Sequence, residues 1–115
     1  MSLGHSDQLA LVLKALAATI DSRAASGDAE SSYTAKLLAK GPERTAKKLG
    51  EEAVELAIAL VGQSDDEVAG ETADLIFHLL VALRSRGISL DQVAGILADR
   101  EGISGLDEKA SRPKD

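Results

Sequence analysis

The chain contains no cysteine and no tryptophan, and only one tyrosine, one phenylalanine and two prolines in 115 residues. Without cysteine there can be no disulfide, thiolate zinc site or cysteine nucleophile, and the chain suits a reducing compartment. So few aromatic residues leave the signals for strands weak. No apolar run approaches the roughly 18 residues of a membrane span, and the N-terminus lacks a signal-peptide pattern. A soluble cytoplasmic protein with no membrane partner is therefore expected. The formal net charge of -6 and the pI near 4.9 argue against a broad nucleic-acid surface, which would need a basic stripe. They leave room for a local basic pocket that takes one small phosphorylated ligand.

The 44% hydrophobic fraction consists mainly of alanine, leucine, valine and isoleucine at helical spacing, which suits closely packed helices. The length fits one domain, residues 1–115, with a core over about residues 6–100 and a polar tail from 102. Ser6 is placed to cap a first helix, in which Leu9, Val12, Leu13, Leu16 and Ile20 recur at steps of three and four. The polar, turn-rich "SGDAESS" (26–32) reads as a loop. "SYTAKLLAKG" gives a short second helix closed by Gly41, and Pro42 suits the first turn of a third helix over about 43–61, ended by Gly62. "SDDE" (64–67) and "SLDQ" (89–92) are capping boxes that open a fourth helix, running to about Arg86 before Gly87, and a fifth, running to about Arg100. The expected fold is all-α, a four- to five-helix bundle.

The third helix places three glutamates, Glu51, Glu52 and Glu55, in five positions of an otherwise apolar segment, "KKLGEEAVELAIALV" (47–61). With Glu51 at zero on the helical wheel, Glu55 lies at about 40°, Lys48 at about 60° and Glu52 at about 100°. Apolar residues fill most of the remaining circumference. The fourth helix repeats the arrangement. With Glu71 at zero, Asp74, Glu67 and His78 fall between about 300° and 340°, and leucine, isoleucine, phenylalanine and valine fill the rest. Helices so apolar must be covered on most sides, and packing them together lets the two acidic wedges face each other. A solvated face is the ordinary reading of a charge run, but such faces mix signs, and like charges at i,i+4 cost about 0.2–0.5 kcal/mol per pair. Carboxylates clustered between buried helices become tolerable with a divalent cation, and hard oxygen ligands suit Mg²⁺ or Mn²⁺.

Written as a pattern, the wedges are E-E-x-x-E (51–55) followed by E-x-x-D (71–74). This resembles the signature of the all-α, MazG-like nucleoside triphosphate pyrophosphohydrolases. The flanking "SYTAKLL", "KKLGEEAVE" and "ADLIFHLL" are similar to those of the phosphoribosyl-ATP pyrophosphohydrolases of histidine biosynthesis, over about residues 6–100. The resemblance implies Mg²⁺-dependent hydrolysis of the α–β phosphoanhydride of phosphoribosyl-ATP to phosphoribosyl-AMP and pyrophosphate. It also implies that Glu52, Glu55, Glu71 and Asp74 bind the metal, with Glu51 beside them to orient or deprotonate water. A fused cyclohydrolase, with its cysteine-bound zinc, would need more length and cysteines than this chain has, so a stand-alone form is expected.

Lys36, Lys40, Arg44, Lys47 and Lys48 form a basic run just before the acids. Lys48 shares the acidic wedge and Lys36 lies in the "SYTAKLL" match, so these two lead as phosphate contacts; Lys40, Arg44 and Lys47 are equally consistent with solvated helix charge. Tyr33 is either a capping and packing residue or a base-stacking one. His78 is expected to orient the Asp74 carboxylate by a hydrogen bond rather than to bind metal. Three rivals remain. A house-cleaning pyrophosphohydrolase would use the same carboxylates without the lysine pattern. A di-iron bundle needs Glu-x-x-His, which the chain lacks. A non-catalytic helical module leaves the clustered acids unexplained. The set of helices is too small to cover the third and fourth, so a homodimer or higher homo-oligomer is expected, as the resemblance also implies.

Overall fold

The computed structural model describes residues 8–28, 32–101, 109–110 and 112–113. These contain five helices and no strand: α1 (Leu9–Ser26), α2 (Tyr33–Ala39), α3 (Pro42–Gly62), α4 (Asp65–Ser85) and α5 (Leu90–Arg100). Ser6 and most of the tail after 102 lie outside the described residues.

Local chemistry sets the boundaries. Ser32 caps α2 through its hydroxyl, which accepts from the Ala35 N–H at 3.2 Å. Gly41 takes φ +85°, a conformation that disfavours any residue with a Cβ. It turns the chain so that Pro42 can open α3 where no N–H donor is required. Both expected capping boxes form. Ser64 and Glu67 bond reciprocally at the start of α4, and Ser89 and Gln92 do so at the start of α5. Gly62 is the last residue of α3 rather than its stop. Gln63 turns extended, and its N–H bonds the Ala59 carbonyl.

The most extensive helix pairing is the antiparallel hairpin of α3 and α4. Its far ends are tied by Thr45 at the start of α3 and Ser85 at the end of α4, whose hydroxyls lie 3.0 Å apart. Each hydroxyl also meets a backbone carbonyl of its own helix, Ser85 that of Ala82 at 2.6 Å and Thr45 that of Pro42 at 3.0 Å. Ile20 of α1, Leu37 of α2, and Leu80 and Val81 of α4 form the buried core, ringed by Leu13, Leu16, Leu38, Ile76, Phe77 and Leu90. The large aliphatics of α3 are not part of it. The residues that α3 buries are Thr45, Glu52 and Ala59; Leu60 is 66% exposed and Val61 90%. Val54 and Ile58 are exposed beside them, leaving one long apolar face of α3 uncovered within the chain.

Ile20 is the main anchor of α1, because it is the one residue of that helix that is fully buried. Ile20→Ala should therefore lower the unfolding free energy by about 2–5 kcal/mol, read by urea denaturation at fixed protein concentration. A loss below about 1 kcal/mol would mean that the core is not anchored there.

Candidate active site

The α3–α4 hairpin carries the acidic wedges onto its inner seam. Glu52 and Glu55 of α3 and Glu71 of α4 each place a carboxylate oxygen within 4.8 Å of the others. Glu52 is 8% exposed, an unusual position for a glutamate without a close partner. Burial is the first cause that pushes its carboxyl above the usual range. The charge of Glu55 and a hydrogen bond with it push the same way, while His78 and Lys48 draw it back. Glu71 is raised as well, by burial first and then by the charges of Glu55, Asp74 and Glu52. Its Oε2 is buried and has no hydrogen-bond partner among the described residues.

Three carboxylates this close, two of them pushed above the usual range and one oxygen left over, fit a hard divalent cation held by oxygen ligands. Glu52 taken alone would be a poorly placed glutamate. Asp74 lies one helical turn beyond Glu71 and contributes to its raised pKa, but it is exposed and stands outside the mutual cluster of three. Glu67, which shares the helical face of Glu71, has its carboxylate taken up by the Ser64 capping box.

Lys48 closes one side. Its Nζ lies 3.3 Å from Glu51 and 3.9 Å from Glu52. The hydrogen bond to Glu51 is the largest cause raising its pKa, followed by the nearby Tyr33 phenol. Lys48 thus holds Glu51 at the rim, next to the cluster but not part of it. Lys36 on α2 and Lys40 at its C-cap are exposed. Among the described residues, neither forms an ion pair with these acids. Arg44 and Lys47 are likewise exposed on the first turns of α3.

His78 corrects one expectation. Its Nδ1 lies 2.8 Å from the backbone carbonyl of Asp74, not from the Asp74 carboxylate. The reason is helical geometry. A side chain at i leans back over the carbonyl at i−4, while the exposed aspartate side chain points to water. The other ring nitrogen meets Tyr33, with the Tyr33 hydroxyl 3.2 Å from Nε2. Helical periodicity could not reveal this link between residues 45 positions apart. The only hint in the sequence is that His78 shares the acidic face of α4.

The family model for phosphoribosyl-ATP pyrophosphohydrolase matches residues 13–101, a span that contains every side chain just described. A phosphoribosyl-ATP pyrophosphatase 1 from Rhodopseudomonas palustris is 60% identical over 100 residues, covering 87% of this chain and 92% of that protein. A phosphoribosyl-ATP pyrophosphatase from Erythrobacter litoralis is 58% identical over 100 residues, covering 87% of this chain and 95% of its own. Another, from a Caulobacter species (strain K31), is 59% identical over 102 residues, 89% of this chain and 94% of that one. With a match of that extent spanning both acidic helices, the chain belongs to the phosphoribosyl-ATP pyrophosphohydrolase family.

Proposed function

We propose that this chain hydrolyses the α–β phosphoanhydride of phosphoribosyl-ATP, giving phosphoribosyl-AMP and pyrophosphate in histidine biosynthesis. The observation that carries the reading is the cluster of Glu52, buried, with Glu55 and Glu71, set in a chain of this family. These three carboxylates, with Asp74 completing the set from the next turn of α4, would hold Mg²⁺, or Mn²⁺ in its place. A bound ion of this kind neutralises phosphate charge and makes water more acidic. Glu51 is placed at the rim by Lys48 to orient the attacking water and take its proton. The water oxygen bonds to phosphorus, the bridging P–O bond breaks, and no residue of the chain is covalently modified. Lys48 meets the phosphates; Lys36 and Lys40 add positive charge on the α2 side, and Tyr33 in the first turn of α2 is a further substrate contact.

The working unit is a homodimer in which the uncovered face of α3 packs against a second copy. Val54, Ile58, Leu60 and Val61 are all exposed on that helix, and a contiguous apolar face of this kind is unusual on a free monomer. Among the described residues no helix is long and apolar enough to cross a membrane. The absence of cysteine and the metabolite substrate together favour the cytoplasm.

The metal assignment predicts opposite effects of one substitution with and without Mg²⁺. Glu71 has a raised folded-state pKa, so its contribution to stability is full below the ordinary carboxylate range and is lost as pH rises through the folded value. In EDTA, Glu71→Gln, which cannot ionise, should therefore gain in melting temperature on the unmodified protein as pH rises from about 4 to 7. Saturating Mg²⁺ at neutral pH should reverse that order. Turnover of Glu71→Gln and Glu52→Gln should fall by about 100-fold or more, the upper range for loss of groups that merely support a metal ligand. Near-normal activity in either variant would remove the metal role.

Substrate choice is read from pyrophosphate release. Phosphoribosyl-ATP should be strongly preferred over ATP and dNTPs, and Lys48→Ala should raise its KM by about tenfold or more, as expected for loss of a charge-assisted bond. Comparable rates on dNTPs would instead make the protein a house-cleaning enzyme. Sedimentation tests the assembly. A dimer is expected at low micromolar concentration, with Val61→Glu shifting it toward monomer and lowering stability; a folded, active monomer would overturn it.

A further inference from the structure

Tyr33 stands in the first turn of α2, half exposed at 54%, while His78 is buried at 8% in the middle of α4. A carbonyl oxygen can only accept, so the 2.8 Å contact to the Asp74 carbonyl requires His78 Nδ1 to carry a proton. In the neutral ring Nε2 is then an acceptor, and the Tyr33 hydroxyl donates to it across 3.2 Å. The only proton of the phenol is then committed to His78. Tyr33 therefore has no donor left for a phosphate. What it can offer a ligand is its ring.

That ring is held on two sides. Phe77 stacks against it with centroids 6.4 Å apart and planes 21° from parallel. His78 meets the Tyr33 ring edge to face at 6.1 Å and 77°. A ring backed by Phe77 and pinned at its hydroxyl has lost most of its rotamer freedom before any ligand arrives, which lowers the cost of stacking on it. Purine bases stack well on such faces. We propose that His78 is a positioning residue that locks Tyr33 so that the outer face of its ring stacks on the purine base of the substrate, beside the phosphate-binding Lys48. This inference rests on the nucleotide substrate proposed above.

Tyr33 is the only tyrosine in a chain without tryptophan, so intrinsic tyrosine emission reports that ring alone. In the absence of ligand, His78→Phe should change the emission, because the phenol loses its acceptor. His78→Gln, whose amide oxygen can take the place of Nε2, should restore it. With phosphoribosyl-AMP added, emission of the unmodified protein should be quenched. In steady-state kinetics Tyr33→Leu should raise KM for phosphoribosyl-ATP by about tenfold, within the range for loss of one base–aromatic stack, and kcat should change little. Tyr33→Phe and His78→Phe should raise KM by similar, smaller factors, and the double variant should be no worse than either alone. Tyr33→Phe alters an exposed ring edge and keeps the test open if the buried His78 variants fold poorly.

Additive losses in the double variant, or a fall in kcat at constant KM, would overturn the positioning role. An unchanged KM in Tyr33→Leu would overturn the stack. If the unmodified protein failed to hydrolyse phosphoribosyl-ATP, the substrate reading would fall. Unchanged ligand-free emission in His78→Phe would separately overturn the lock, since it is read without turnover.

Discussion

The mutual repulsion of three carboxylates within 4.8 Å is the constraint around which the molecule is arranged. At Glu52 and Glu71 burial and the charge of their neighbours, Glu55 among them, both oppose ionisation. A chain selected only for stability would place alanine or leucine there. Everything that fixes α3 against α4 works to keep the three together. The short turn at Gln63 and Ser64 brings the helices back antiparallel, and the Thr45–Ser85 contact ties their far ends. Ala59, fully buried, lets the two helices pack closely at the seam. Capping also matters here. The Ser64–Glu67 box occupies a fourth acid of the same face, which limits the crowd in the seam to the three that can share an ion.

The same arrangement explains the shape of the hydrophobic core. Because α3 turns its acidic wedge inward, its large aliphatics point elsewhere, and the buried cluster comes from α1, α2 and α4. Leu60 and Val61 are left facing out. A second copy packed on that face would cover them and stiffen the helix that carries three of the site acids, Glu51, Glu52 and Glu55. Metal binding and assembly would then support the same hairpin from opposite sides. Folding and function are coupled through α3 in either case, since the helix that contributes most to the site places no large side chain in the buried cluster of α1, α2 and α4.

Much of this could be read from the sequence, because helices write local rules plainly. The two capping boxes, the Gly41–Pro42 junction and the apolar period placed the five helices close to their observed ends. The helical wheel placed Glu52, Glu55 and Glu71 on facing wedges, and the structure brings those three together. The wheel could not separate Glu67 from the others, because angle alone does not say that its carboxylate will turn back to bond the Ser64 N–H. Nor could it say that Asp74 would stay exposed while Glu71 went inside, since that depends on the crossing of two helices. The role of His78 was misread for a related reason. Its two hydrogen bonds go to a backbone carbonyl, which no side-chain pattern encodes, and to Tyr33 on a separate helix. Those contacts depend on where α2 settles after the loop at 26–32, and that loop has no periodicity to follow.

The most direct measurement of whether the clustered glutamates exist to hold a cation is anomalous scattering from crystals of the protein grown with Mn²⁺. One or more manganese peaks within bonding distance of Glu52, Glu55 and Glu71 oxygens are expected, including the Oε2 of Glu71 that otherwise has no hydrogen-bond partner. Well-ordered carboxylates with no manganese between them, under conditions in which the protein turns over, would contradict the assignment.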